Sequence, residues 1–265
     1  MKFTLGIKVI CSVLLVWQNC SAVEVKSYKA DVCVYGGTAS GVMAALAAHK
    51  EGSKVILIEP TRWLGGMTGG GINHLDWGKG ETVGGSTFKI LMEGLKDQKR
   101  AHGGHAKNGI GNKQYRERFK KALEDRGINV IYDHRVGKVQ VGGEIIDKPT
   151  RQQPIAMGEK IASKNKNNSI QSIILDYAPV DEIGCPIPEP KKRNAITISA
   201  KVFIDCSYEG DLLAMSGVNY TWGRESREHY KESLAGVRPS LWVHDIDPYV
   251  ELGNPESGLV PFVQD

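Results

Sequence analysis

Cysteine is scarce in this sequence. There are five, at Cys11, Cys20, Cys33, Cys185 and Cys206, and none is close enough to another to supply the paired ligands of a zinc or iron–sulfur site. Excess charge is scarce too: the formal net charge is +4 over 265 residues, and no basic stripe is interleaved with aromatic side chains. That gives nucleic acid no footprint and implies no acidic partner. Beyond the N-terminus no run of 18 apolar residues occurs, which argues against a permanent membrane helix. The remainder is ordinary, 41% hydrophobic and 24% charged, enough for one large domain or two small ones and too apolar for a disordered or fibrous chain.

The N-terminus departs from that composition. Lys2 and Lys8 precede the apolar run Val9 to Trp17, and "QNCSA" follows, with small residues at Cys20 and Ala22 that suit cleavage after Ala22. Residues 1–22 therefore read as a secretory signal peptide, and the mature protein is expected in the periplasm or outside the cell. The apolar run is about half the ~20 residues that span a bilayer. Lipidation at Cys20 is disfavoured, because "WQN" before it lacks the apolar and small residues such processing wants. Cleavage leaves Cys33, Cys185 and Cys206, an odd number that speaks against a disulfide framework.

From Asp31 to Glu59 the pattern is strand, turn, helix, strand. "DVCVY" is a short apolar run of the kind buried on both faces of a parallel sheet. Val42, Met43, Ala45, Leu46 and Ala48 mark a helix ending near Gly52, and "KVILIEP" is the second strand of a βαβ unit. Thr61 to Ser86 is too rich in glycine for a regular element, and loops of that length inside a domain are usually functional. Thr87 to Lys99 and Tyr115 to Arg126 look helical, and "INVIYD" is a third strand. Between Asp133 and Ser199 the runs "VGKVQV" and "SIQSIILDY" suggest antiparallel strands, with "KNKNN" and "PIPEPKKRN" as exposed turns and linkers. "AKVFIDCS" restores the buried-strand pattern, and the tail from Tyr220 shows little periodicity and suggests a C-terminally incomplete chain.

The turn "YGGTASG" carries the first chemistry. A dinucleotide-binding turn wants a glycine for the tight bend, a second where the backbone nears the pyrophosphate, and a third where helix and strand pack closely. Gly36, Thr38 and Gly41 hold those positions, with Gly37 between. Thr38 is bulkier than the motif wants, although a hydroxyl there is able to donate to a phosphate oxygen. Glu59 ends the second strand at the spacing where a carboxylate accepts from adenosine ribose hydroxyls. The competing reading is a plain turn and a surface acid, and the unit alone does not separate FAD from NAD.

His74 and Asp76, in the glycine loop, are the catalytic candidates: a histidine moves protons near neutral pH and an aspartate orients it. Solvated or structural roles compete in such a loop. His102 and His105 have no further ligand at metal spacing, so no metal is expected.

Four ordered motifs then resemble a known group, the FAD-dependent oxidoreductases of the two-dinucleotide-binding-domain type. These open with "YGGT.(A/S)G", continue with "EPT..LGGM", and later show "IDA(S/T)YEGDLLA..GV.Y..GRE" and "Y.ESLAGVR". This chain has "VYGGTASG", "EPTRWLGGM", "FIDCSYEGDLLAMSGVNYTWGRES" and "HYKESLAGVRP", spanning about Asp31 to Pro239. Members carry threonine where Thr38 stands. The resemblance implies FAD as cofactor, with Gly36, Gly37, Thr38 and Gly41 at the pyrophosphate and Glu59 at the ribose. Arg62, Gly65, Gly66 and Met67 would lie along the cofactor, and Asp205, Glu209, Gly210 and Asp211 would form the strand-end turn that returns to it. For Asp211 alone, capping a helix is an equal alternative.

The resemblance implies an α/β fold: a Rossmann-like FAD-binding domain with a parallel sheet and a β-rich insertion. The expected divisions are a signal peptide at 1–22, a first FAD-binding part at 29–135, the insertion at 136–199, and at 200–265 a second FAD-binding part leading into a missing C-terminal part. The expected activity is flavin-based oxidation or reduction of a small-molecule or saccharide-derived substrate. An NAD-dependent dehydrogenase would use the same turn and Glu59, but gives "LGGM" and "YEGDLLA" no role. Some relatives are labelled xanthan lyases, yet no paired acid or Tyr/His arrangement supports a non-redox polysaccharide-acting protein. Similarity to heterodisulfide reductase A subunits brings iron–sulfur clusters to mind, for which the cysteine spacing supplies no site.

Overall fold

The computed structural model describes residues 25–70, 85–86, 112–147, 169–218, 226–236 and 247–260. The signal-peptide reading, the helix expected at 87–99, and His74, Asp76, His102 and His105 lie outside these residues.

Two sheets pack face to face. The first is parallel, with β2 (Val32–Tyr35), β3 (Val55–Glu59), β4 (Asn129–Tyr132) and β9 (Val202–Asp205) in the order β4-β3-β2-β9. Every residue of β2 and β3 is buried, as their unbroken apolar runs require of strands covered on both faces. One face carries α1 (Ala39–Lys50) and α3 (Asn112–Glu124), with a short α2 (Gly66–Gly69) between them in sequence. In α3, Tyr115, Phe119 and Leu123 recur every four residues, and all three are buried against Val34, Leu57 and Leu64.

The other face packs on the second sheet. Its strands are β1 (Lys26–Lys29), β5 (His134–Val141), β6 (Glu144–Asp147), β7 (Ile170–Tyr177) and β8 (Lys192–Ser199), in the order β1-β8-β7-β5-β6. Its pairings are antiparallel apart from β1 with β8. Cys33, Tyr35, Ile56 and Ile58 from the first sheet share one core with Val136, Val139, Ile173, Leu175 and Ile198 from the second. The second sheet thus forms one wall of the parallel sheet's core. Four strands differ from expectation. β8 begins inside the stretch "PIPEPKKRN" that reads as a linker. The N-terminal KSYK joins this sheet although three of its four residues are exposed, so no apolar pattern marks it. In the tail, β10 (Tyr249–Glu251) and β11 (Asn254–Leu259) pair antiparallel.

α4 (Asp211–Met215) and α5 (Arg227–Tyr230) are single turns. No helix among the described residues is long and apolar enough to cross a membrane.

Candidate functional site

In an open parallel sheet, ligands bind outside the carboxyl ends of the strands, where the chain leaves neighbouring strands in opposite directions. Here that point lies between β2, whose next strand is β3 on one side, and β9 on the other. A cavity of about 390 Å³ lies there, lined from the loops after β2, β3 and β9, within the ~300–1,000 Å³ range of small-molecule sites.

The turn after β2 is held by contacts that account for its residues one by one. Gly36 has φ +95°, and a Cβ there would stand 2.6 Å from the Ser207 nitrogen, so only glycine lets this turn meet the loop after β9. Gly37 leaves room for Glu59, whose Oε2 would lie 2.7 Å from a Cβ at that position. A Cβ at Gly41 would collide with the Gly36 carbonyl oxygen and stand 3.2 Å from the Cys206 Cβ. Thr38 is the N-cap of α1: its Oγ1 accepts from the Gly41 N–H at 3.2 Å and donates to the Cys206 carbonyl at 2.8 Å. The hydroxyl proton that the sequence offered to a phosphate is therefore used to tie this turn to the end of β9. Thr38 still lines the cavity, so the positive end of α1 faces it.

Glu59 is buried at 6% exposure. Its Oε2 accepts from Gly37 N–H at 2.8 Å, and its Oε1 from the Thr61 N–H and Oγ1 at 2.7 and 2.6 Å. A carboxylate has about four acceptor positions, so three internal donors leave room for one ribose hydroxyl rather than the two expected from the sequence. Burial raises the Glu59 carboxyl above the usual glutamate range. The hydrogen bonds from Thr61 and Gly37 pull it back, and the nearby Glu209 carboxylate adds to the rise.

Arg62 lines the cavity and donates through Nη2 to the carbonyls of Val180 and Asp181, at 3.2 and 3.1 Å. That bond clips the loop between β7 and β8 to the mouth of the cavity, where Glu182, Ile183 and Gly184 form part of the wall. Gly65 lies behind the wall with φ +97°, its N–H donating to the Gly37 carbonyl at 2.7 Å. Gly66, also at positive φ, lines the cavity, while Met67 is 54% exposed and donates its N–H to Tyr208 Oη at 2.9 Å.

The loop after β9 is organised by Asp205. Its Oδ1 accepts from the Ser207 N–H and Oγ, at 2.9 and 2.7 Å, and its Oδ2 from the Leu213 N–H in the first turn of α4. The carboxylate that caps this helix through its side chain is Asp205. Gly210, at φ +67°, is the N-cap residue, and Asp211 opens the helix. Glu209 lines the cavity and is exposed; Gly210 and Asp211 stand behind it.

The residues gathered at the cavity are thus Gly36, Thr38, Glu59, Arg62, Gly66 and Glu209, with Gly37, Gly41, Gly65, Met67, Asp205, Gly210 and Asp211 supporting them or lying alongside. Sequence reasoning missed Ser207, Tyr208 and the loop at 180–184. A local signal exists for the loop: Asp181 Oδ1 accepts from the Ile183 and Cys185 N–H groups, an Asp-initiated turn closed by Gly184. Its return to the cavity is set by packing of the two sheets and has no local signal. Cys33, Cys185 and Cys206 are free, and burial raises the thiols of Cys33 and Cys206, which opposes thiolate chemistry at either.

The site combines a glycine turn at a helix N-terminus, a buried acid at the end of the next strand and a cavity beside both, and the sequence matches the family model described as FAD dependent oxidoreductase over residues 31–160 and 187–257. The chain belongs to this family. Its cofactor is FAD, and the residues present fit it: the capped α1 faces the cavity, and Glu59 keeps an acceptor position beside it. A search of curated proteins finds no match.

Solved structures show partial likeness. L-proline dehydrogenase from P. horikoshii is 16% identical, with a TM-score of 0.34 over 69% of this chain and 23% of that one. The bacillithiol disulfide reductase of Bacillus cereus is 15% identical, with a TM-score of 0.36 over 67% and 39%. A flavocytochrome c3 fumarate reductase is 16% identical, with a TM-score of 0.38 over 68% and 34%. The chain spans less than half the length of each of these.

Proposed function

We propose that the protein is an exported FAD-dependent oxidoreductase acting on a small-molecule or saccharide-derived substrate. The observation that carries the cofactor part of this reading is the buried Glu59 carboxylate, fixed by Gly37 and Thr61 at a strand end beside the N-terminus of α1. FAD, when bound, supplies the hydride or electron chemistry. The chain's own residues would hold and orient it: the α1 terminus would meet the pyrophosphate and Glu59 would accept from the ribose, while Arg62 keeps the 180–184 loop at the mouth. Support for export comes from the sequence of residues 1–22. His74 and Asp76 stay the candidates for proton transfer on the strength of their place in the glycine loop.

The full-length protein, purified from its native compartment, is expected to be yellow and to release FAD on denaturation. A colourless protein that cannot be reconstituted with FAD, yet binds NAD, would replace this reading with a nicotinamide-dependent dehydrogenase.

A further inference from the structure

We propose that Tyr208 binds the cofactor directly, its phenol O–H donating to an oxygen of the FAD pyrophosphate; this rests on the flavoprotein reading above. Tyr208 forms part of the cavity wall, and the residue is 59% exposed. Its ring is laid against Gly66, where a Cβ would stand 2.9 Å from Cζ and 3.0 Å from Cε2, so the glycine is what admits the ring. Its Oη accepts from the Met67 N–H at 2.9 Å.

A phenol has one proton to donate, and accepting from an N–H leaves that proton free. Among the described residues nothing takes it. An N–H donated to the oxygen also polarises the phenol and strengthens its own O–H as a donor. The hydroxyl stands beside the phosphate-binding turn on two counts. Met67 lies two residues after Gly65, which bridges Thr38 and donates to the Gly37 carbonyl. Ser207, the residue before Tyr208, backs Gly36 from the other side.

The charge balance of the cavity gives this donor a purpose. Arg62 is the one cationic residue among the described residues lining it, and its Nη2 is engaged by two carbonyls, whereas Glu59, Glu182 and Glu209 all line the same cavity. Backbone N–H groups and a neutral hydroxyl therefore carry much of the recognition of an anion here.

The test compares full-length wild-type protein with Tyr208→Phe, which keeps the ring on Gly66. Affinities for FAD, ADP and adenosine are measured by calorimetry, with ligand-free melting temperatures alongside. Losing a hydrogen bond to a charged group should weaken both FAD and ADP by about tenfold or more. Adenosine, which has no phosphate, should bind both proteins equally, and the ligand-free melting temperatures should agree. Unchanged FAD and ADP affinity in the variant overturns the proposal. So does a loss shared by adenosine and matched by a lower melting temperature, which would make Tyr208 only a prop for Met67. Wild-type protein that binds no FAD overturns the flavoprotein reading itself, and the role of Tyr208 with it.

Discussion

The two sheets are built from similar side chains and do different work. In the parallel sheet, β2 and β3 are buried along their whole length, and their carboxyl ends open into the loops that form the cavity. In the antiparallel sheet, β7 and β8 mix buried and exposed residues, and the register is irregular between β5 and β7 and between β7 and β8. The only part of the antiparallel sheet that lines the cavity is the loop joining β7 to β8, among the described residues. Strand direction explains the contrast. Parallel strands bring several chain ends to one edge, whereas antiparallel neighbours send theirs to opposite edges. A shared core lets the strands of the second sheet stabilise the first, while only their β7–β8 loop reaches the cavity among the described residues.

That division can be broken most sharply at Gly36. Gly36→Ala forces a side chain into a left-handed conformation and against the backbone of Cys206 and Ser207. A stability loss of about 2–5 kcal/mol is expected in denaturant titration, together with loss of FAD binding in a flavin fluorescence assay. Ile198→Ala, in the fully buried part of β8, should cost a similar ~2–5 kcal/mol. Here the folded protein should keep its FAD affinity, because Ile198 does not line the cavity. If both variants lost FAD equally, the two sheets would not be separable in function.

Thr38→Val is the next smaller perturbation. It removes the cap of α1 and the partner of the Cys206 carbonyl, at a cost of about 1–3 kcal/mol. Thr38→Ser should recover most of this, and a Val variant as stable as wild type would show that the tie is dispensable. The smallest effect is expected from pH. Glu59 has its carboxyl raised by burial in the folded protein, so the buried carboxylate detracts from stability above that raised value. Acidification through it, toward the unfolded value, relieves the cost. The ligand-free protein should therefore gain a little stability from this group on mild acidification, while FAD affinity falls as the ribose acceptor is protonated. Glu59→Gln should flatten the affinity trend; an affinity independent of pH in wild type would remove Glu59 from the ribose.

What was legible in the sequence follows the same division. β2, α1 and β3 stood out because strands covered on both faces need unbroken apolar runs, and because Gly52 ends the helix where it is expected. Glu59 was legible by spacing. Thr38 was found at the right place and given a different partner, because its acceptor, the Cys206 carbonyl, belongs to a strand far along the chain. β1 was hidden by its polar residues, β8 by the proline- and lysine-rich stretch that leads into it. Ser207 and Tyr208 gain their positions only when the loop after β9 meets the glycines at 36 and 66.

The bond from Thr38 to Cys206 closes a circuit of 168 residues. During synthesis, β2 gains β3 as a neighbour almost at once, but its other edge stays open until β9 has been made. An apolar strand with an unpaired edge is a template for the wrong partner, and long-range pairing is slow to form. An open edge on β2, an apolar strand of the parallel sheet, therefore lasts until β9 is made, and the turn that Thr38 ties to Cys206 is completed only by that late pairing.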